Sequence, residues 1–178
     1  MKELSLNILD IAQNSIKAGA SLVDIRLNES GDLLQIEIED DGCGMSEELL
    51  RRVTDPFSTS RTTRKVGMGL PLFKLAAEQT GGRLDIASTE GKGTLVRAVF
   101  NRGHIDCAPL GDIVGTIIAL VQGSPDIDFV FRHSRGDKAA ELDTRLMREA
   151  LGGEVPLNEP DVLTWAKESL MDQYYNMS

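Results

Sequence analysis

"LSLNILDIAQNSIKAGA", residues 4–20, is an apolar run that carries a carboxylate, an amide and an ammonium. On an ideal helix each residue turns the chain by about 100°, which places Asp10, Asn14 and Lys17 in one stripe roughly 60° wide. Leu4, Ile8, Ile11, Ala12 and Ile16 take most of the other side. Residues 3–18 are therefore expected to form a helix, ended by Gly19, that packs by one face and presents polar groups on the other. Such a polar face is either a solvated surface or a place where chemistry is done, and the residues that follow have to decide between the two.

Beyond Gly19, "SLVDIRLN" (21–28) sets Val23, Ile25 and Leu27 against Asp24 and Arg26, the period of a half-buried strand. "NESGD" (28–32) reads as a turn and "LLQIEIED" (33–40) as a second strand with Leu34, Ile36 and Ile38 inward, the pair forming a hairpin. Because side chains alternate, Asp40 shares that inward face, where a carboxylate persists only with a partner. The Gly42-x-Gly44 behind it allows a tight turn and leaves room beside the acid for a flat ligand, although D-x-G-x-G also occurs as a simple turn. Residues 54–66, "TDPFSTSRTTRKV", have no period and read as a long loop of the kind that serves function in a compact domain. A helix is expected from Leu70 to about Thr80, with Pro71 in its first turn and Gly81 and Gly82 after it. Gly67 and Gly69 stand just before it, where backbone amides and the positive end of the helix dipole favour an anion, and Arg61, Arg64 and Lys65 lie upstream. "RLDIAS" (83–88) and "TLVRAVF" (94–100) are two further strands joined by "TEGKG". No G-x-x-x-x-G-K-[ST] loop is present.

A net charge of −9 over 178 residues opposes sequence-independent binding to nucleic acid or anionic lipid, both of which need a positive field. The most apolar later run, "DIVGTIIALVQG" (112–123), is far shorter than the ~20 residues that cross a bilayer, and a cytoplasmic protein is expected. Cys43 and Cys107 have no metal-ligand spacing and are expected to be reduced small core residues. After Asn101 the character changes, and we divide the chain into a unit at 1–101 and a C-terminal α/β extension at 102–178. The extension reads as an apolar helix near 110–122, a hairpin of "IDFVFRH" and "AAELDT", and two helices near 144–151 and 160–174. It is expected to cover the sheet, with a partner-docking surface as the alternative. His104 and His133 fall in linker and strand context and read as ordinary loop and sheet residues.

The order of these elements resembles the ATP-binding domain shared by histidine kinases, DNA gyrase, mismatch-repair ATPases and a heat-shock chaperone. "LDIAQNSIKAGA" looks like its N box, "EDDGCGM" like G1, "DPFSTS" like the F box of histidine kinases, "VGMGLPLFKLAAEQTGG" like G2 and "GKGT" like the last box. The match spans residues 4–100, with the nearest likeness to histidine kinases and anti-sigma serine kinases. It implies the Bergerat fold, a two-layer α/β sandwich whose mixed, mostly antiparallel sheet is covered by helices. It also implies ATP and Mg²⁺ as cofactors. Asn14 would hold the metal, Lys17 would neutralise phosphate charge, and Asp40 would accept from the adenine amino group in a pocket shaped by Gly42, Gly44 and Met45. Gly67, Met68, Gly69 and Leu70 would wrap the phosphates with Lys65 beside them, and Thr94 would lie near the base. Asp10 stands where hydrolytic relatives carry a glutamate that orients water; it is one methylene, about 1 Å, shorter, which counts against efficient hydrolysis but not against binding. The resemblance thus implies a phosphotransferase acting on a separate protein, with a nucleotide-sensing module or a slow ATPase as alternatives. The protein partner and the oligomeric state stay open.

Overall fold

The computed structural model describes residues 3–53 and 69–178. In chain order these form α1 (Leu4–Lys17), β1 (Leu22–Ser30), β2 (Leu33–Asp40), α2 (Glu47–Val53), α3 (Gly69–Gln79), β3 (Arg83–Thr89) and β4 (Gly93–Asn101). Then follow α4 (Ile113–Gly123), β5 (Asp128–Arg135), β6 (Lys138–Asp143), α5 (Thr144–Ala150) and α6 (Pro160–Met177). The six strands make one sheet in the order β3-β4-β2-β1-β5-β6, antiparallel at every contact except β1 with β5. This is the mixed, mostly antiparallel sheet and two-layer α/β arrangement that the motif order implied.

The alternation read in the sequence decides which face the helices take. Val23, Ile25 and Leu27 of β1, Leu34, Ile36 and Ile38 of β2, Val96, Ala98 and Phe100 of β4, and Phe129 and Phe131 of β5 are buried on one side. There they meet Ile8 and Ile11 of α1, Phe73 of α3, and Ile117 and Val121 of α4, which share the core. On the other side the register aligns Asp85, Arg97, Glu37, Arg26, Arg132 and Glu141 in a row across all six strands. Glu37 accepts from Arg97 at 2.7 Å and Arg26 at 3.5 Å, and Arg132 pairs with Glu141. Charges matched in this way hydrate well and give no apolar surface for helices to cover.

The segment after Asn101 does not lie over the sheet made by the first four strands. It continues that sheet, with β5 joining β1 in parallel and β6 forming the new edge, while α4 packs against α1 and α6 against α4 and β6. The linker serves α1 as well. Glu3 provides no side-chain cap, and the carbonyls of Pro109 and Leu110 accept from the backbone amides of Leu4 and Ser5 at 2.9 and 2.8 Å, so two of the orphan donors at the helix start find partners. The short helix α2 was not anticipated from the sequence. Its seven residues are too few to show an amphipathic period.

Candidate functional site

The site is built at the end of β2, where the strand carries Asp40 out from beneath α1. The Asp40 carboxylate accepts from the Ser15 hydroxyl at 2.6 Å on one oxygen and from the Gly42 amide at 2.9 Å on the other. Ser15 follows Asn14 on α1 and is buried. A carboxylate has about four lone-pair sites, so two neutral donors fix its orientation and leave acceptor capacity on both oxygens.

The loop that follows is stitched on two sides. Asp41 accepts from the Ser21 amide and hydroxyl and from the Leu22 amide, and these bonds, the Ser21 hydroxyl first, hold its carboxyl below the ordinary range. The Cys43 amide donates to the Ala18 carbonyl at the end of α1, while the Cys43 carbonyl accepts from Gly91 in the β3–β4 turn. The Met45 amide donates to Ser88 Oγ at 2.8 Å, and Ser88 in turn shares a 2.8 Å hydrogen bond with Thr94. Two glycines make this closeness possible: Gly44, at φ +68°, and Gly93, at φ +123°, each sit where a Cβ would run into a backbone carbonyl oxygen, of Thr89 and Asp40 respectively.

Between α1, this loop, α2, α3 and β4 lies a cavity of about 220 Å³. Asn14, Lys17, Asp40, Gly44, Met45, Leu70 and Thr94, all chosen from sequence, line it. Ile11, Ser15, Ala18, Cys43, Leu49 and Val96 complete the wall, which is mostly apolar around one carboxylate; Cys43 is exposed rather than a core residue. Gly42 adjoins through its bond to Asp40, and Gly69 packs on α1, its Cβ position 3.4 Å from Asp10 Cβ and 3.9 Å from Asn14 Nδ2. Asp10 is exposed on α1 and is not among the lining residues. Lys65, Gly67 and Met68, with the 54–66 loop, lie outside the described residues. Among the described residues Lys17 enters no ion pair, and no group of three His, Cys, Asp or Glu side chains has the spacing of a metal site. Nor is any described helix long and apolar enough to cross a membrane.

Sequence reading missed Ser15 and Ser88. A serine on the packing side of a helix reads as a small core residue, and only the pairing of α1 with the end of β2 turns it into a carboxylate donor. A second inward carboxylate is held differently. Glu29, at the opposite end of β1, accepts from His133 Nε2 at 2.8 Å and from Arg135 at 2.7 Å and also pairs with Arg102. His133 Nδ1 meets the Tyr174 hydroxyl at 2.7 Å, and burial, then the charges of Arg135 and Arg102, lower this imidazole's pKa to about 4.

The model of the histidine kinase-, DNA gyrase B- and HSP90-like ATPases matches residues 2–104. Similar proteins include a putative sensor protein of Shewanella frigidimarina, 30% identical over 56% of this chain and 15% of that protein. The non-motile and phage-resistance protein of Caulobacter vibrioides is 34% identical over 60% and 14%, and the sensor protein SrrB of Staphylococcus aureus 38% over 53% and 17%. The aligned region is thus less than a fifth of each of these relatives. The crystal structure of the N-terminal domain of a DNA repair protein superposes with a TM-score of 0.57 at 16% identity, covering 80% of this chain and 53% of the other, and shares the fold. The chain belongs to the family of histidine kinase-, DNA gyrase B- and HSP90-like ATPases, whose model its residues 2–104 match.

Proposed function

We propose that this chain is a cytoplasmic Mg-ATP-binding regulatory phosphotransferase that acts on a separate protein. The observation that carries the nucleotide part is the partly served Asp40 carboxylate in an otherwise apolar cavity. An exocyclic amino group donating to Asp40 fills the remaining acceptor capacity, while Ile11, Met45, Leu49 and Val96 offer apolar surface to a purine ring, with Thr94 close by. Asn14 and Lys17 lie on the same wall one turn apart, and in this reading the Asn14 side-chain oxygen holds Mg²⁺ together with phosphate oxygens and waters. The donor set fits that ion, since a hard cation that keeps its waters and phosphate ligands needs few protein oxygens. Lys17 balances phosphate charge, and Gly69 and Leu70 at the start of α3 border the phosphates together with Lys65, Gly67 and Met68. Bound metal supplies charge neutralisation; the protein's part is to hold nucleotide and acceptor in line, which is most of what this chemistry asks. Asp10, one turn before Asn14 on α1, is the base in this reading.

The exposed position of Asp10 favours a second reading, in which the domain binds nucleotide without transferring phosphate and a partner protein senses the bound state. Incubating the protein with γ-labelled ATP and Mg²⁺, with and without cell extract, separates the two. Label on a protein band that is lost with Asp10→Asn supports transfer. Label that stays on ATP, with retained affinity, supports sensing, and rapid release of phosphate without a labelled protein contradicts both.

A further inference from the structure

The C-terminal segment carries a second cavity, of about 300 Å³, between β6, α5 and α6. Two large apolar side chains on its wall face solvent, Leu146 of α5 at 63% exposure and Trp165 of α6 at 47%. Ala150, Met147 and Ala166 form its floor and sides. The β6 edge beside it is already closed to strand addition, because Gln173 accepts from the Glu141 amide at 2.7 Å and donates to the Glu141 carbonyl at 3.0 Å.

Of the carboxylates on its wall, Glu141 pairs with Arg132 and Asp143 with Arg145, and the charges left without an ion pair at its rim have one sign. Asp161, Glu168 and Asp172 stand four residues before and three and seven after Trp165, hence on its face of α6, and Glu149 stands three after Leu146 on α5. All four are exposed, and none forms an ion pair among the described residues. Lys167 lies on the opposite side of α6, and Arg145 is engaged by Asp143 at 2.9 Å. An anionic membrane or a nucleic acid is repelled by such a rim. A second copy docking face to face would set the same carboxylates against one another.

We propose that this cleft docks a basic amphipathic helix of a partner protein, one bulky apolar side chain seated against Leu146 and Trp165 and its cations facing Asp161, Glu168, Asp172 and Glu149. The site is independent of the nucleotide cleft. It assigns residues 144–172 an interaction role whether or not phosphate is transferred.

Trp165 is the single tryptophan of the chain, so its emission reports on the cleft directly. The full chain is titrated with an 18-residue leucine–lysine amphipathic peptide and with its leucine–glutamate counterpart. The expected result is a saturable blue shift with the lysine peptide alone. Leu146→Ser weakens it ~10-fold, the scale of a lost apolar anchor, and Leu33→Ser, a like change on the open sheet face, alters it less than ~2-fold. The triple variant Asp161→Asn, Glu168→Gln, Asp172→Asn weakens binding and flattens its salt dependence. Equal response to both peptides, equal loss in the two serine variants, or no saturable response would overturn the proposal. So would an emission shift with protein concentration alone, which would give the cleft to a second copy.

Discussion

Two inward-facing acids sit at opposite ends of neighbouring strands, Asp40 on β2 and Glu29 on β1. Glu29 is enclosed by two guanidinium groups and an imidazole, whereas Asp40 has, among the described residues, a hydroxyl and one amide as donors and opens onto an apolar cleft. Both are half-buried and satisfy the rule that a carboxylate taken from water needs partners. The difference between them separates an acid that holds the fold together from one that keeps capacity for a ligand. Glu29 ties β1 to β5 through His133 and Arg135, to the linker through Arg102 and, by way of His133, to Tyr174 of α6.

The contrast breaks or sharpens under substitution. Glu29→Ala leaves the buried His133 Nε2 without its acceptor and turns two exposed guanidinium groups to water, and should lower the unfolding free energy by about 3 kcal/mol in urea melts, with nucleotide affinity of the folded protein kept. Asp40→Ala should do the reverse, weakening a non-hydrolysable ATP analogue ~10- to 100-fold by calorimetry and leaving the urea midpoint nearly unmoved. If both variants lose stability and affinity alike, the distinction between the two acids fails. Mild acid probes the structural end. His133 titrates near 6.5 when unfolded and at about 4 when folded, so the unfolded chain binds the extra proton first. Its contribution is therefore complete above about pH 6.5 and is lost as pH falls toward 4. Replacing it, as His133→Gln, should flatten the change in urea midpoint across that window. The smallest pair of effects is the finest test: Ser15→Ala should cost ~3- to 10-fold in nucleotide affinity, and Tyr174→Phe about 1 kcal/mol in stability. Neither should move the other's quantity.

How much of this was legible in the sequence follows from the range of each signal. Period-two alternation is local, so β1, β2 and the inward aim of Asp40 could be read directly, as could the glycines around the G1 and last boxes. That Gly44 and Gly93 are pressed against the Thr89 and Asp40 carbonyls could not be read, because the close approach exists only once the loop meets the β3–β4 hairpin. Ser15 lies 25 residues from Asp40, and His133 lies 104 from Glu29, distances at which pattern carries no pairing information. The same holds for the parallel contact of β5 with β1, which makes the later strands part of the first sheet. Asp10 and Asn14 share a helical stripe in sequence, yet only Asn14 reaches the cavity wall, since a stripe roughly 60° wide still spans the boundary between cleft and solvent.

The central claim is that Asp40 reads the base. Crystals grown with Mg²⁺ and a non-hydrolysable ATP analogue test it most directly. The account predicts a purine amino nitrogen within ~3 Å of an Asp40 carboxylate oxygen, the ring lying between Met45 and Val96 with the Ser15 bond retained. A nucleotide bound elsewhere, or one in this cleft whose base leaves Asp40 with Ser15 and Gly42 as its sole partners, would contradict it.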